Sequence, residues 1–550
     1  MKDKLMFDEL EMFYDTSAND RPSVESLIRF FKYCKEMGYT GIILGFSTNI
    51  EIPGEPYFGY QQGRYTKDEL KAIGKACKDL GLNLTPHFQN LGHVYHIGKY
   101  ATYFDYCDDK EVLLEGDPRT LKLVEKIFAV LKECFDTDRI HIGMDEAFQM
   151  GRGKHLDLFG YEPMFNIISR HLEEIRKLCF KYGFTKIEMW SDMYLYNIFP
   201  KGFLDKPKEE VRAFVEGKIP SDVTLSHWTY IKDNADGFRD ELEKHLKITD
   251  NISYTGAAIN WVGYAPDSAH AFRVLSNNLK ISKELGAKKI NIANWVGTGF
   301  SGGMYTGLPV FYFAAEMAYG RATCIDDIDK ARFKRLFGAE FDDFMMLDLL
   351  NKPHPDHYYD WPSAKSTFYA FQDVLIGQMD AFLSENTGKD YQKVYEKLSA
   401  VKAGDFQYLF DLMSALAKVL VNKSELGKNL KNAYDKGDKN ELTKLANEII
   451  PVVIEDVKKL FECAMKIFTN EFVENAYEVV QNRYGGLLKR LERVRARIND
   501  YLNGKNEKID ELEDQRIATY IFSGNKNMTE DSCLLYGWNA LISLGKACNN

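Results

Sequence analysis

Short apolar runs alternate with amphipathic helical stretches over about the first 320 residues of the chain. The runs at 11–14, 41–46, 83–88, 139–144, 186–190, 224–228, 256–261 and 289–295 read as strands. Between the first two, Val24, Leu27, Ile28, Phe31, Cys34 and Met37 recur at helical spacing, and Leu70, Ile73, Cys77 and Leu80 repeat the pattern before the third. Gly38, Gly81, Gly183 and Gly286 stand where each helix must stop before its following strand. Eight such units in about 300 residues predict an α/β fold, the closed (β/α)8 TIM barrel. A doubly wound open sheet fits less well, because no Gly-rich phosphate turn accompanies the strands. After about residue 325 the strand signal fades. From Tyr391 onward, long patterns rich in Lys, Glu, Leu and Ala predict helices, broken by polar turns around 425–440 and 503–506. The expected organisation is a barrel over 1–325 and an all-helical domain over 326–550, with no heptad array and no short-period repeat.

Composition changes this picture little. At 550 residues two domains are the natural expectation, and 45% hydrophobic with 28% charged residues is ordinary for a globular chain. A net charge of -10 argues against nucleic acid as a partner. The one basic run, Lys489, Arg490, Arg493, Arg495 and Arg497, is interleaved with Glu492 and reads as a solvated helix face. Nine scattered cysteines form no CxxC pair and no metal-ligand spacing, so free thiols, a reducing compartment and no bound metal are expected. The N-terminus carries no apolar core of signal-peptide length and no run approaches a membrane span, so a cytoplasmic location and no membrane partner are the expectation.

Barrel sites form where strands end, at the C-terminal face. The fourth strand runs into Asp145 and Glu146, placing two carboxylates at the mouth. An Asp-Glu pair alone is usually a solvated loop. The tryptophans add weight: of six in the chain, Trp190, Trp228, Trp261 and Trp295 fall at expected strand ends. Indole faces stack on the C–H face of a sugar ring, so carboxylates with aromatic walls point to carbohydrate chemistry. Two catalytic carboxyls usually come from different strands to flank a glycosidic bond; consecutive residues suit a mechanism in which the substrate supplies the nucleophile.

The segments GEPYFGYQQGRYT at 54–66, PHFQNLGH at 86–93, HIGMDEA at 141–147, WSDMY at 190–194, NWVGYAP at 260–266 and RYGGLLKRLE at 483–492 resemble the family 20 glycoside hydrolases. The resemblance spans essentially the whole chain and is closest to the bacterial branch without the N-terminal α/β domain. It implies a retaining, exo-acting β-N-acetylhexosaminidase acting through an oxazolinium intermediate on an N-acetylated amino sugar. It implies Glu146 as general acid and then base, and Asp145 as the residue that orients the 2-acetamido group. Tyr230 would hydrogen-bond the acetamido oxygen, and His93 would belong to the polar network around the acid. Trp190, Trp228, Trp261 and Trp295 are its candidates for the aromatic box. No cofactor is implied, since hydrolysis of this kind needs only water.

Three positions depart from the branch's pattern. Ala18 stands where the branch carries an arginine for O3 and O4, Thr229 where an aspartate is usual, and Gly297 near where a carboxylate holds O4 and O6. Two explanations fit: a register offset, with Arg21 or Asp192 substituting as sugar-binding residues, or a substituted or extended glycon with release of a disaccharide. A non-catalytic carbohydrate-binding protein on the same scaffold, and a glycosidase using Asp145 as direct nucleophile, are the competing classes. The helical domain suits either a pocket rim or a homodimer interface.

Overall fold

The computed structural model describes residues 4–17, 20–231, 233–295, 302–353, 364–475 and 477–517. The chain divides into two compact units. One comprises Met1–Ala258, Ala271–Gly297 and Val310–Ile328; the other comprises Ile259–His270, Thr298–Pro309 and Asp329–Asn550. The segment immediately after the seventh strand is thus grouped with the C-terminal unit.

The first unit is a closed barrel of β1 (Glu9–Asp15), β2 (Gly41–Phe46), β3 (Asn83–Phe88), β4 (Arg139–His141), β5 (Lys186–Trp190), β6 (Val223–Trp228), β7 (Ile252–Ala258) and β8 (Lys289–Asn294). All neighbours pair in parallel, and β8 closes onto β1 from Glu9↔Lys289 to Tyr14↔Asn294. The eight-stranded parallel barrel expected from the hydrophobic pattern is therefore present. Between β1 and β2, the helix Val24–Met37 opens at Ser23, whose side chain accepts the Ser26 N–H, and closes at the left-handed Gly38. Between β2 and β3, the helix Lys67–Asp79 starts with a reciprocal Thr66/Glu69 capping box.

Two strands differ from the sequence expectation. β7 covers Ile252–Ala258 rather than 256–261, with every residue buried. A parallel strand covered on both faces has no polar alternation to mark its ends, and Trp261 falls three residues beyond it. β4 stops at His141 rather than 144, and pairs with β3 only at His87↔His141. The cause lies in the backbone: Gly143 and Met144 have φ of 66° and 76°, which no extended strand accommodates.

The barrel floor is a buried charge network. Lys289 bridges Glu11 and Glu188 at 2.6 Å each, and Arg139 pairs with Glu9 and Glu11. Glu188 also accepts from Ser253 (2.7 Å) and the Asn291 amide (2.8 Å). Burial opposes ionisation of Glu188, but Lys289 beside it and these hydrogen bonds hold its carboxyl down to about 2. Glu11, wholly buried, is pushed upward by its burial.

The second unit is helical. Its helices Gln407–Lys423 and Ile450–Glu471 bury Leu409, Met413, Leu416, Leu420, Val453, Val457 and Leu460. Tyr264 and Tyr484 share a hydroxyl–hydroxyl bond of 2.7 Å. The basic run lies on the helix Glu478–Leu502, where Arg490 pairs with Asp373 and Glu511, Arg497 with Glu511, and Lys489 with Glu492. The described cysteines are free thiols. Among the described residues no helix is long and apolar enough to cross a membrane.

The floor network yields a stability prediction. Lys289→Met strands two buried carboxylates and should lower the unfolding free energy of the barrel by about 3–5 kcal/mol, measured by chemical denaturation.

Candidate active site

The site is built from the segments that follow β3, β4 and β5. Beyond β4 the chain turns left-handed at Gly143, Met144 and again at Glu146 (φ 47°), and beyond β3 at His93 (φ 55°). For a residue with a Cβ each such conformation costs about 1–2 kcal/mol, so the surroundings must enforce it. They do so through four residues. The Asn90 amide donates to the carbonyls of Phe88 (2.9 Å) and Ile142 (2.8 Å), tying the two segments together. The Gln89 side chain accepts the Met144 N–H at 3.2 Å and donates to Asp145 Oδ1 at 2.7 Å. Asp192, one residue before a π-helical turn at Met193–Asn197, accepts the Glu146 N–H at 3.0 Å. Finally, Gly92 lies flat against the turn: a Cβ there would stand 2.3 Å from the Asp145 carbonyl oxygen.

This framework presents Asp145 and Glu146 side by side to one cation. His93 Nε2 lies 3.2 Å from Asp145 Oδ2 and 3.3 Å from Glu146 Oε2. Burial resists protonation of the imidazole, yet Asp145 and Glu146 push it up to about 11. Burial likewise opposes the Asp145 charge, but His93 and the Gln89 hydrogen bond more than offset this and hold the carboxyl below its usual range. Two further carboxyls feel the same cluster. Burial and the Asp145 charge push Asp192 up to about 7. Burial pushes Asp15, at the tip of β1, up to about 6 against the bonds it accepts from the Ser17 N–H and hydroxyl, both at 2.9 Å. Asp145 is the deep member of the pair, with a side chain 13% exposed, whereas that of Glu146 is 38% exposed. Among the described residues, His93, Asp145 and Glu146 are a set of donors within 4.8 Å of one another. A metal needs the imidazole neutral, and the proton that these carboxylates hold on His93 disfavours that use.

The barrel lumen supplies aromatic walls. Trp190, the last residue of β5, is buried against His141 (4.3 Å between centroids), Phe13 (5.3 Å) and Trp295 (6.1 Å). Trp228, the last residue of β6, stacks on Tyr230 at 5.2 Å and 18°, and Tyr230 meets Trp295 edge-on at 6.3 Å. Among the described residues the buried indole N–H groups of Trp190 and Trp295 make no hydrogen bond, leaving two donors that a hydroxylated ligand can use.

Of the residues singled out in the sequence, the structure thus gathers His93, Asp145, Glu146 and Asp192 into one polar cluster. It gathers Trp190, Trp228, Tyr230 and Trp295 into one aromatic cluster. Trp261 is in the second unit. Asp192 is only 3% exposed and supports the Glu146 backbone from behind. His141 packs in the lumen, where burial pushes its imidazole down to about 3 and keeps it neutral. Thr229 is buried, and its carbonyl accepts the Tyr254 hydroxyl at 3.2 Å. Ala18 and Gly297 lie outside the described residues. Sequence reasoning assigned no part to Gln89, Asn90 or Asp15. The first two lie within the PHFQNLGH segment, and the sign that was available is that all three stand at strand ends on the same barrel face. Arg21, on the segment after β1, is 6% exposed with its guanidinium 4.1 Å from the Tyr65 ring centre. Its Nε and Nη1 make no hydrogen bond among the described residues.

Comparison with known proteins adds a family resemblance. Residues 342–532 match the model of the Glycoside Hydrolase 20C C-terminal domain. A stretch of 98 residues, 16% of this chain and 20% of the relative, is 28% identical to a beta-hexosaminidase of Akkermansia muciniphila. The chain thus spans about a fifth of the length of that curated relative. Among solved structures, Flavobacterium johnsoniae chitobiase is similar with a TM-score of 0.47 at 13% identity, over 84% of this chain and 78% of that one. Streptomyces plicatus N-acetyl-beta-hexosaminidase is similar with a TM-score of 0.43 at 13% identity, over 61% and 69% respectively.

Two measurements test the electrostatics. In Asp145→Asn the His93 imidazole loses its closest anion, and its NMR titration midpoint should fall by several units from about 11. For Asp192, a folded pKa near 7 lies above the unfolded value of 3.8, so its contribution is complete below pH 4 and lost as the pH rises to 7. The melting temperature of Asp192→Asn should therefore gain on that of the parent protein between about pH 4 and pH 7, and the difference should be level above that.

Proposed function

We propose that this chain, whose residues 342–532 match the Glycoside Hydrolase 20C C-terminal domain, is a family 20 glycoside hydrolase: a retaining, exo-acting β-N-acetylhexosaminidase that cleaves a terminal N-acetylated amino sugar by substrate assistance. The observation that carries this reading is the consecutive pair Asp145–Glu146 bridged by His93 over a tryptophan-lined lumen. Two carboxyls on one turn cannot stand on opposite faces of a sugar ring as an acid and a direct nucleophile must. They can serve one end of the bond and one substituent of the ring together.

In this reading Glu146, the more open carboxyl, gives its proton to the leaving oxygen. The substrate's acetamido oxygen then attacks C1 from within the same molecule, and the glycosidic bond breaks. Asp145, held ionised by His93 and Gln89, accepts the acetamido N–H and stabilises the positive charge that develops on the oxazolinium ring. Glu146 next takes a proton from water, whose oxygen opens the ring at C1 and restores the original anomeric configuration. The aromatic rings of Trp190, Trp228, Tyr230 and Trp295 enclose the acetamido methyl and the sugar's C–H face. Arg21 supports the exo assignment: a buried guanidinium on the segment after β1, whose Nε and Nη1 make no hydrogen bond among the described residues, is a donor for the hydroxyls of a terminal sugar.

The decisive assay is hydrolysis of 4-nitrophenyl β-GlcNAc and β-GalNAc with mass-spectrometric identification of the released unit. Release of the monosaccharide, competitive inhibition by a thiazoline that mimics the oxazoline, and a loss of about 10²–10⁴-fold in kcat on Glu146→Gln are expected. Turnover that survives Glu146→Gln, or indifference to the thiazoline, would falsify the mechanism.

A further inference from the structure

Most of the barrel unit's exposed aromatic side chains stand on the segments between β2 and β5. Tyr57, Tyr60, Tyr95, Phe104, Phe148 and Tyr161, each between 37% and 73% exposed, all stand on segments that follow β2, β3 or β4. These segments are locked to one another. Tyr57 stacks on Tyr100 at 4.8 Å and 24°, joining the β2 and β3 segments. The buried Asp108 of the β3 segment accepts the N–H groups of Gly151 (2.6 Å), Gly153 (3.1 Å) and His155 (2.8 Å) of the β4 segment. A set of rings held this way is preorganised, so a ligand that lies on it orders little else on binding.

Two of these rings stand beside the proposed chemistry. Tyr95 follows His93 by two residues and is 50% exposed; Phe148 follows Glu146 by two residues and is 48% exposed. The segments bearing them touch where Gly92 meets the Asp145 carbonyl and Ala147. On the reading proposed above, the sugar that reacts sits on the side of the deep Asp145 and the indoles. The leaving oxygen must reach the more open Glu146, so whatever is attached to that oxygen leads outward past the residues next to Glu146 and His93. We infer that Tyr95 and Phe148 form a leaving-group platform that binds the next sugar of an oligosaccharide, making the enzyme selective for glycan rather than small aglycons.

The chemistry of the patch favours a sugar over a lipid surface. The segment after β4 also exposes Leu156, Leu158 and Phe159, but the rings are interleaved with polar and charged groups, with Lys99 over Tyr100 (5.2 Å), Lys154 over Phe104 (4.7 Å) and Arg152 over Tyr161 (5.0 Å). Separate flat rings among hydrogen-bonding groups match the alternating C–H faces and hydroxyls of a pyranose chain, whereas a membrane surface is met by continuous aliphatic area.

The test uses the full chain and two substrates: the methyl β-glycoside of the N-acetylhexosamine that the enzyme cleaves, and the same sugar β-linked to lactose. For the parent enzyme, KM for the lactose-linked substrate should be lower by about tenfold or more, equivalent to one ordinary contact. Equal values overturn the inference without any variant being made. In Tyr95→Ser and Phe148→Ser the ratio of kcat/KM for the lactose-linked substrate to that for the methyl glycoside should fall about tenfold each, mainly through KM. Phe180→Ala, a change at a ring of similar exposure on the helix Met164–Lys181, should leave the ratio unchanged. A ratio unmoved in both serine variants overturns the inference, including where those variants bind phosphatidylcholine vesicles less well. Failure of the parent enzyme to cleave both the methyl glycosides and the lactose-linked substrates of GlcNAc and GalNAc would instead overturn the hexosaminidase reading on which this rests.

Discussion

The left-handed turn after β4 is the constraint from which the rest of the site follows. Because Gly143 and Met144 leave the strand conformation, β4 ends three residues after it begins, and Asp145 and Glu146 rise on a turn instead of alternating along a strand. On an extended strand, successive side chains point to opposite faces, so consecutive carboxylates would be separated. The turn brings both to His93 Nε2 within 3.3 Å. The cost of three left-handed residues with side chains is met by Asn90, Gln89 and Asp192, each of which hydrogen-bonds the turn itself. Strain of this kind, held by its surroundings, gathers where function requires a geometry that local preference would not select.

The proton inventory follows from that placement. His93 faces two carboxylates at hydrogen-bonding distance and keeps its proton through the neutral range. With one cation shared, the four carboxyls of the mouth cannot all be ionised easily, and the cluster settles the conflict by position. Asp145, bonded to both His93 and Gln89, holds the charge, while the buried Asp192 and Asp15 retain protons to higher pH. Asp192 thereby combines a mechanical part, fixing the Glu146 backbone, with an electrostatic one that changes as the pH rises through 7.

How much of this was legible in the sequence depended on whether a feature is written as a period or as a contact. The barrel was legible because strand and helix periods repeat eight times, with helix stops at Gly38, Gly81, Gly183 and Gly286 that all adopt positive φ. The strand ends were not: β7 is buried throughout, so Gly256 and Trp261 carried no mark of which was inside the strand. His93, Asp145 and Glu146 were legible as residues at adjacent strand tips. Gln89 and Asn90 were not, because an amide's part depends on which backbone atoms the fold brings to it. The same holds for Asp192, which as a sequence feature suggested a group facing a ligand and in the structure stands behind the turn. The grouping of Ile259–His270 with the C-terminal unit had no sequence mark either, since membership in a compact unit is a property of contacts between distant segments.

The two ends of the barrel differ in their charge balance, and the difference bears on why the proposed chemistry belongs at the mouth and not the floor. At the floor, Glu9, Glu11 and Glu188 meet Arg139 and Lys289, and hydrogen bonds from Ser253 and Asn291 complete the shell. That network is close to electrical balance, and a further charge has no favourable place in it. At the mouth, Asp15, Asp145 and Glu146 have His93 as their shared cationic partner, and Asp192 stands beside Asp145 and Glu146 with no cation described for it. Negative potential there exceeds what the protein itself neutralises. Buried groups left in such imbalance destabilise the resting fold, and proteins keep them where a ligand or a transition state supplies the missing charge. In the proposed reaction that charge is the positive oxazolinium ring and its flanking transition states. The imbalance that makes the mouth costly in the free enzyme is therefore the same term that lowers the barrier when the substrate's ring becomes cationic.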